Sequence, residues 1–384
     1  MAEGSAAPWA PRPLRIAFLD SWMQDAASGS GTAVAIGGLA AALMARGHSV
    51  ERLVPRGGWP RSLLARRLWF NLTLPRRLRP GGGAGPYDLI VGFDIDGVRL
   101  AGSAAAPYVC SIKGVLAEES RCERGWPRRL LASLALLEGR NARRSPLVLS
   151  TSHYCIERIR HHYGVAPDRL ALVPEGLDLD LWQPSADPIV LADLDARREP
   201  FTVLCVARQY PRKRVVDLID AFAVVVAREP RARLVVIGDG PEHGALAQRV
   251  RQRDLLGQVQ LLGALPDDAE VRGWYRRCSL FCLPSEQEGF GIVFLEAMAS
   301  GLPVVSTTAA AIPEVVPDGE AGLLVPPRDP EALAQALLRL LGDGELRARL
   351  REHGRLHARA YAWERVAERF LAAVAPLLAG RPTG

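Results

Sequence analysis

The sequence predicts an α/β protein made of two doubly wound domains, each with a parallel sheet between layers of helices. Its 384 residues suffice for about two domains of ordinary size. Short, almost continuously apolar runs alternate with helical patterns, as expected for strands that are buried on both faces. This alternation lapses once, over residues 176–188, where Pro, Asp and Ser accumulate, and then starts again.

The elements of the first domain follow from its apolar runs. Strands are predicted at 14–20, 48–54, 88–94, 107–113, 146–152 and 169–176. Helices are predicted at 31–47 and 126–144, because both patterns have the helical period and end in Gly or polar residues. The lapse in the pattern assigns residues 1–178 to this domain and 179–361 to the next.

The second domain repeats the same alternation. Its strands are predicted at 201–207, 233–240, 259–263, 279–285 and 302–308. Helical stretches separate them at about 215–229, 241–254, 267–277 and 291–300. Three further helical patterns follow, at 329–343, 344–360 and 361–378.

Composition limits the class of protein. The first residues lack the basic start and apolar core of a secretion signal, and no uncharged apolar run reaches 18 residues, so we expect a cytoplasmic protein. The six cysteines are scattered without a C-x-x-C pair, which favours reduced thiols over disulfides or a zinc site. Adjacent His161 and His162 have poor geometry for one metal-binding helix face, so we expect no metal.

Lysine is unusually rare in this basic chain. The net charge is +6, yet only Lys113 and Lys213 are lysines, and the other 46 basic residues are arginines. Arginine presents a planar fork, whereas lysine presents a compact charge on a flexible stem. Positions that kept lysine are therefore candidates for sites where arginine does not serve.

Three loops of the second domain carry polar groups where predicted strands end. They are "ARQYPRKR" (207–214), "GDGPE" (238–242) and "PSEQEGFG" (284–291). Ligands of open parallel sheets bind beyond the carboxyl ends of the strands, near helix N-termini. Arg208 and Lys213 place a fork and a point charge on one loop, a pair suited to the two phosphates of a diphosphate.

Two glutamates lie on either side of the next helix start. Glu288 is on the loop, and Glu296 lies roughly 8 Å further along the helix that begins near Gly291. Such carboxylates are too far apart to share one bond as an acid–base pair, but they suit hydrogen bonds to hydroxyls at the two ends of a diphosphate. A nucleotide-sugar has this layout, with a ribose, two phosphates and a transferred sugar.

The chain resembles the family 4 retaining glycosyltransferases of GT-B fold. The resemblance rests on Glu288 and Glu296 around "GFGIVFL", on "AMASGLPVVSTTAAAIPEVV" (297–316) and on "GLLVPPRDPEALAQAL" (322–337). "VARQYPRKR" is similar to the family's Arg-x-x-x-x-Lys diphosphate clamp, and "VVIGDGPE" to its second Gly loop at Gly238. The segments 31–50 and 163–182 extend the resemblance to nearly the whole chain.

The resemblance implies two Rossmann-like domains facing a cleft and a last helix, within 362–384, that crosses back to the first domain. It implies that Glu296 binds ribose hydroxyls, and that Glu288 binds the transferred sugar together with the Phe290 and Gly291 backbone. It further implies that Arg208 and Lys213 bind the diphosphate. The Ser30–Gly31 turn would cover the phosphates, and backbone groups near Leu262 would recognise the base. A UDP-sugar is the favoured donor.

Two departures from the family pattern stand out. The family usually has a histidine after the strand that corresponds to "PYVCSI", where this chain has Lys113. We expect Lys113 either to donate to a sugar hydroxyl or to neutralise developing phosphate charge. The usual Gly-Gly before "PEVV" is Ala310-Ala311 here, which leaves little room for a ligand beside the backbone.

The mechanism implied by the resemblance is transfer with retained anomeric configuration. Arg208, Lys213 and the helix dipole would stabilise the leaving diphosphate, which would accept the proton of the acceptor hydroxyl. We therefore expect catalysis by Glu288, Arg208, Lys213 and Lys113 without a cofactor or divalent ion.

Two classes of acceptor remain open. Asp94, Asp96, Glu118, Glu119 and Glu175 follow first-domain strands, and such an acidic rim suits a cationic aminosugar or aminocyclitol of antibiotic biosynthesis. The stretch 53–87 has many arginines, no acid and two Trp, which suits an anionic membrane surface and a lipid-linked or polysaccharide acceptor. A Pro- and Gly-rich acceptor loop is an equally plain interpretation of that stretch.

Two further classes of protein share some of these features. An NAD-dependent oxidoreductase would have this architecture, but "GSGTAV" and "GDGPEHG" both depart from G-x-G-x-x-G. An RNA-binding protein would use the arginine excess, but the chain has no aromatic-basic motif such as an RNP1 box, so we expect no nucleic-acid partner. The oligomeric state is left open by the sequence.

Overall fold

The first sheet has six parallel strands with helices on both faces. The computed structural model describes residues 12–22, 31–55, 63–78, 87–102, 106–183, 190 and 195–379. The strands of the first sheet lie in the order β2-β1-β3-β4-β5-β6. They are β1 (Arg15–Leu19), β2 (Ser49–Leu53), β3 (Leu89–Phe93), β4 (Tyr108–Ile112), β5 (Leu147–Ser150) and β6 (Leu170–Leu172).

The second sheet also has six parallel strands, in the order β12-β11-β10-β7-β8-β9. They are β7 (Thr202–Val206), β8 (Arg233–Ile237), β9 (Val259–Gly263), β10 (Leu280–Cys282), β11 (Val304–Thr307) and β12 (Gly322–Val325). Each sheet lies between two layers of helices, because nearly continuous apolar strands need cover on both faces. The predicted fold class of two doubly wound α/β units is confirmed.

The eleven predicted strands correspond to β1–β11, and β12 was not predicted. This strand is only four residues long and lies at the edge of the sheet beside β11. Gly322 allows the close pairing, because a Cβ there would lie 2.3 Å from the carbonyl oxygen of Val304. So short a run between Gly and Pro gives little periodic signal.

The helices of the first half include several that the sequence pattern did not predict. In that half the described helices are α1 (Gly31–Ala45), α2 (Leu63–Arg77), α3 (Leu116–Cys122), α4 (Gly125–Arg144), α5 (His153–Tyr163) and α6 (Leu179–Trp182). Helix α2 lies in the stretch 53–87, for which the sequence suggests a loop or a membrane surface. It contains Pro75 and buries Phe70, Leu74 and Arg67.

The helices of the second half follow the predicted ranges closely, apart from the short α11. They are α7 (Val215–Arg228), α8 (His243–Gln252), α9 (Asp268–Arg277), α10 (Ile292–Ala299), α11 (Ile312–Val315), α12 (Pro330–Gly342), α13 (Gly344–Ala358) and α14 (Trp363–Ala379). One-turn 3₁₀ segments occur at Pro167–Arg169, Pro211–Lys213 and Arg359–Tyr361.

The last helix, α14, crosses back to the first sheet, as the resemblance implied. Its residues Val366, Phe370 and Val374 are buried in one cluster with Ile16 and Phe18 of β1. Phe370 and Phe18 meet edge-on, with ring centroids 6.3 Å apart. The division of the chain at residue 178 stays a prediction.

Candidate functional site

The loop 284–291, here called the donor loop, connects β10 to α10. Gly291 begins the helix with φ 91°, a left-handed conformation that glycine adopts without strain. A Cβ at Gly291 would lie 2.6 Å from the ring of Phe294. Phe290 is buried and meets Tyr361 edge-on, with centroids 5.7 Å apart. The first-turn N–H groups of α10 are therefore presented from a firmly packed loop.

Glu288 is the centre of the polar contacts in the donor loop. Its Oε1 accepts hydrogen bonds from Lys213 Nζ at 2.6 Å and from Ser285 Oγ at 2.7 Å. Both members of the ion pair are largely buried, with 15% of the Lys213 side chain and 8% of the Glu288 side chain exposed. The structure thus joins two of the predicted catalytic residues from separate loops.

Arg208 and Lys213 lie on the same loop but in different environments. Arg208 is exposed and lies over the ring of Tyr210 at 5.8 Å, so its guanidinium is open to an incoming anion. Lys213 is engaged by Glu288. The backbone N–H of Glu286 donates to the Arg212 carbonyl at 2.8 Å, which fixes this loop to the donor loop.

Arg212 was not predicted as a site residue. Its guanidinium lies 3.9 Å from Glu119 and 3.9 Å from Glu123 of the first half of the chain. Burial lowers the pKa of Arg212, but Glu119, Glu288 and Glu123 together offset this and raise it. Arg212 therefore stays a cation and links the loop 207–214, here called the clamp loop, to Glu119 and Glu123 of the first half of the chain. Only its place between two clamp residues signalled this role.

Glu296 lies on α10, one helical stretch beyond Glu288. It accepts a hydrogen bond from Tyr275 Oη at 3.0 Å. Burial raises the pKa of Glu296 to about 7, with Asp268 adding to the rise and with Tyr275 and Arg272 opposing it. The carboxylate thus keeps one stable partner and titrates close to neutrality. Tyr275 was not found from the sequence, because its helix pattern looks like ordinary core packing.

The second glycine loop packs directly against the clamp loop. Gly238 has φ 118°, and a Cβ there would lie 2.0 Å from the carbonyl oxygen of Ala207. Gln209, fully buried, donates from Nε2 to the Gly238 carbonyl at 2.6 Å. The Gly238 N–H donates to Gly263 at 2.8 Å, which brings β9 with the predicted base-recognition residue Leu262 to the same edge.

Helix α1 begins next to the start of helix α10. A Cβ on Gly31 would lie 3.5 Å from Cγ2 of Ile292, the first residue of α10. The start of α1 therefore faces the start of α10 across the cleft. Ser30, the other residue of the predicted phosphate-covering turn, lies outside the described residues.

The donor loop also contacts the first half of the chain. The Gly289 carbonyl accepts hydrogen bonds from Ser152 Oγ at 2.8 Å and from Thr151 Oγ1 at 3.1 Å. Glu314 accepts from the backbone N–H groups of His153 and Tyr154 at 2.7 and 2.6 Å, so an acid of the second half caps helix α5. Sequence reasoning missed Glu314, because only the fold brings it to that helix end.

Lys113 and Glu175 form an ion pair on the first-domain wall. Lys113 Nζ lies 3.2 Å from Oε1 and 3.3 Å from Oε2 of Glu175. Phe93 lies on another side of the ammonium, with its ring centroid at 5.8 Å. The structure thus brings a predicted catalytic residue onto a predicted acceptor-binding residue.

Asp94 and Asp96 are interior groups. Asp96 accepts hydrogen bonds from Ser21 and Asn71. Burial raises its pKa to about 6, against the opposing effects of Arg67, Ser21 and Asn71. Asp94, 4% exposed, accepts from Trp22 Nε1 at 3.2 Å. The two carboxylates hold strand ends and helix α2 together, and their part in acceptor binding stays a prediction.

Glu118 and Glu119 also have cationic neighbours. Glu118 lies 2.7 Å from His162 Nε2 and 3.7 Å from Arg158, and Glu119 lies near Arg212. The acids of the predicted rim are therefore largely neutralised in this conformation. Their part in acceptor binding stays a prediction.

Neither metal-binding clusters nor membrane spans are found in the portion of the chain that the structure describes. Within it, no group of three or more His, Cys, Asp or Glu side chains is placed to hold a metal ion. None of its helices has the length and apolar character needed to cross a bilayer.

Ala310, in place of the family's usual glycine, adopts φ 53°, a left-handed conformation that costs an alanine about 1 kcal/mol.

The fold matches solved glycosyltransferase structures along nearly its whole length. Sucrose-phosphate synthase of Thermosynechococcus elongatus superimposes with a TM-score of 0.79 at 23% identity, covering 96% of this chain and 100% of that one. Anabaena HepE in complex with UDP-glucose superimposes with a TM-score of 0.69 at 20% identity, covering 94% and 100%. The fold is therefore the GT-B fold that these glycosyltransferases share.

Two family models match consecutive parts of the chain. "Glycosyltransferase Family 4" matches residues 29–181, and "Glycosyl transferases group 1" matches residues 190–357. The chain therefore belongs to glycosyltransferase family 4. Both matches are to glycosyltransferase models, which argues against the alternative of an NAD-dependent oxidoreductase.

Curated relatives match more than half of the chain. The D-inositol 3-phosphate glycosyltransferase of Corynebacterium glutamicum is 36% identical over 220 residues, which is 54% of this chain and 52% of that protein. The protein of the same name from Streptomyces scabiei is 30% identical over 227 residues, 57% and 51%. The alignment thus spans about half the length of the curated relatives.

Proposed function

We propose that this protein transfers a sugar from a nucleotide-diphosphate sugar to an acceptor hydroxyl with retention of anomeric configuration. The observation that carries the proposal is the arrangement around α10. Lys213 and Glu288 meet at its N-terminal end, exposed Arg208 lies on the same loop as Lys213, and Glu296 lies further along the helix. A cationic end flanked by two carboxylates fits a diphosphate with hydroxylated groups on both sides.

In the proposed reaction the bond between the anomeric carbon and the diphosphate oxygen breaks. The acceptor oxygen bonds to that carbon on the same face, and its proton passes to the departing diphosphate oxygen. Arg208, Lys213 and the N-terminus of α10 stabilise the negative charge that develops on the diphosphate. We propose that these fixed cations suffice without a divalent ion, so activity should persist in EDTA.

A UDP-sugar is the donor that we propose. The HepE complexes contain UDP and UDP-glucose, which supports this choice by similarity of fold alone. A thermal-shift panel of UDP-, GDP-, ADP- and TDP-sugars tests it, since a ligand that binds the folded state raises the melting temperature. We expect only the UDP-sugars to give a clear shift without metal, and Glu296→Ala to abolish it. An equal response to all four, or to none, contradicts the proposal.

For the acceptor, a small polyhydroxylated ring is the first candidate. A cationic aminosugar or aminocyclitol of antibiotic biosynthesis is the form suggested by the acids near the cleft, although most of these acids have cationic partners. The curated relatives are named for D-inositol 3-phosphate, an anionic cyclitol. Transfer assays with a 2-deoxystreptamine-type aminocyclitol and with myo-inositol phosphate, run in parallel, distinguish a cationic from an anionic acceptor.

A lipid-linked or polysaccharide acceptor at an anionic membrane surface is a second candidate, and two helices of the first half favour it. Helix α2 exposes Leu68, Trp69 and Leu72, and α4 exposes Trp126 and Leu136, with 51–73% of Trp69, Trp126 and Leu136 accessible. Arginines accompany them on both helices. Large apolar side chains among arginines suit an anionic lipid surface.

Vesicle sedimentation tests this candidate. We expect binding to phosphatidylglycerol vesicles that weakens with salt and is reduced by Trp69→Ser and Trp126→Ser. Leu256→Ser, which removes an equally exposed side chain of the second half, is the control. Equal sedimentation of all variants, or no binding to anionic vesicles, contradicts it.

A further inference from the structure

The Lys113 ammonium is removed from water together with its carboxylate partner. Lys113 follows β4 and Glu175 follows β6, two strands away in the same sheet. The exposed fractions of the two side chains are 8% and 9%. A buried charge of this kind needs a partner, because leaving it alone in a protein interior is costly.

Glu175 does not use all the donors of this ammonium. The Nζ atom is nearly equidistant from the two carboxylate oxygens, at 3.2 and 3.3 Å, longer than the ~2.8 Å of a single well-directed charge-assisted bond. A lysine ammonium carries three N–H donors. A further oxygen can therefore bind beside Glu175 without displacing it.

The backbone of Lys113 is fixed independently of its side chain. Its N–H donates to Asp94 Oδ1 at 3.1 Å, and its carbonyl accepts from Thr151 Oγ1 at 3.4 Å. That carbonyl also faces the donor loop, since a Cβ on Gly289 would lie 2.7 Å from it. The backbone of Lys113 thus belongs to the wall opposite the loop that the proposed function assigns to the transferred sugar, and the ammonium extends from that wall to Glu175.

We propose that Glu175 is a positioning residue for Lys113, and that the pair recognises the transferred sugar of the donor. Glu175 holds the ammonium in place through the ion pair, and the ammonium donates to an oxygen of that sugar. This assigns Glu175 to the donor site in place of the acceptor role expected from the sequence. The inference rests on the proposed function and specifies its sugar subsite.

Binding of UDP and UDP-glucose to four variants tests the inference by calorimetry. The variants are Lys113→Gln, Glu175→Gln, the double variant, and Glu157→Gln as control, which changes an exposed acid of α5 paired with Arg160. We expect UDP affinity to stay within about twofold throughout. The extra affinity for UDP-glucose should fall about tenfold in Lys113→Gln, the value of one hydrogen bond to a charged group.

The pH dependence of Glu175→Gln separates positioning from simple structural support. Without its carboxylate a buried lysine loses its proton more readily. Measured at about pH 6 and about pH 8.5, the preference of Glu175→Gln for UDP-glucose should therefore be weaker at the higher pH. The other titratable groups near the backbone of Lys113 are Asp94, Glu119 and Cys155. Burial raises the pKa of the Cys155 thiol to about 12. Lys113→Gln keeps all three groups and should show no such change.

The double variant should match Lys113→Gln in binding and melt above Glu175→Gln, because it leaves no unpaired buried charge. Wild-type preference at both pH values in Glu175→Gln, or in Lys113→Gln, overturns the inference and leaves the proposed function intact. Equal affinity of the wild-type protein for UDP and UDP-glucose also overturns the inference and leaves the proposed function intact. A wild-type protein that binds neither probe overturns both.

Discussion

Glu296 combines a proposed role in binding with a cost in stability. Burial raises its pKa from 4.5 to about 7. Between these values the unfolded chain is ionised while the folded chain keeps the proton, so stability falls as pH rises from about 4.5 to about 7 and is constant above. The buried surroundings of Glu296 therefore disfavour its charged form, and pKa shifts of this kind are common at functional sites.

Glu296→Gln should remove this dependence. The amide can still accept from Tyr275 but carries no charge to desolvate. We expect the variant to gain stability relative to the wild type as pH rises, by on the order of 3 kcal/mol at pH 8 compared with acid pH. Nucleotide-sugar binding should fall. Urea unfolding at pH 5 and pH 8 measures the difference, and a pH-independent difference would contradict the assignment.

Lys213 and Arg208 should differ in what their loss costs. Lys213→Ala leaves Glu288 buried with Ser285 as its remaining described donor, and should destabilise the fold by roughly 2–4 kcal/mol as well as abolish nucleotide binding. Arg208→Ala removes an exposed guanidinium and should weaken binding with little change in stability. Thermal melts with and without UDP compare the two. Equal melting temperatures for the unliganded variants would be the contrary result.

At the scale of elements, the donor loop depends on a glycine that touches the opposite wall. A Cβ at Gly289 would lie 2.7 Å from the Lys113 carbonyl and 3.2 Å from the Cα atom of Gly114. Backbone atoms on the other side cannot move aside as a flexible side chain would. The closeness of the two walls thus requires that position to lack a side chain.

Gly289→Ala should force the two walls apart. We expect donor affinity to fall at least about tenfold, because the donor loop loses its contacts with Thr151 and Ser152. Gly273→Ala on α9 is the control, since nothing lies within 4 Å of its added methyl and alanine favours the helix. Calorimetry with UDP on both variants is the measurement. Wild-type affinity in Gly289→Ala would show that this contact is dispensable.

Elements with a clear period could be predicted, and those fixed by tertiary contacts could not. β1–β11 and the long helices of the second half follow from apolar period and capping residues. Helix α5 escaped prediction although Ser152 caps it and Gly164 ends it in the left-handed conformation, because its polar sequence hides a narrow buried face. Helix α2 escaped because Pro75 argues against a helix and the surrounding stretch 53–87 is rich in Pro and Gly.

The candidate site was predictable where motifs bear its chemistry. Glu288 and Glu296 stand out by their spacing around the glycines of the donor loop, and Lys213 stands out as one of only two lysines. The structure brings Glu288 and Lys213 into contact. The partners Tyr275, Arg212 and Glu314 come from distant parts of the chain, so no local pattern signals them. The paired state of Lys113 and Glu175 likewise depends on strand order in the sheet.

At the scale of the whole molecule, the returning helix joins the end of the chain to its beginning. Trp363 lies against Gly38 and Gly176, where a Cβ would be 2.2 and 2.3 Å from its ring. The Leu177 N–H donates to the Tyr361 carbonyl at 2.8 Å beside the same crossing. The first core is therefore completed only when residues 363–379 have packed onto it.

Phe370→Ala should destabilise the molecule by about 3–5 kcal/mol, as expected for an aromatic side chain deleted from a closed core. The loss should appear in the unfolding of the first half, because Phe370 packs with Phe18 and Ile16. Hydrogen exchange of β1 reports on that half. Undiminished protection of β1 in the variant would contradict the packing.

A structure of the protein with UDP-glucose tests the central claim most directly. The account predicts the diphosphate on Arg208 and Lys213 at the N-terminus of α10, the ribose on Glu296, and the glucose between Glu288 and Lys113. A nucleotide bound elsewhere, with these side chains turned away from it, would contradict the account.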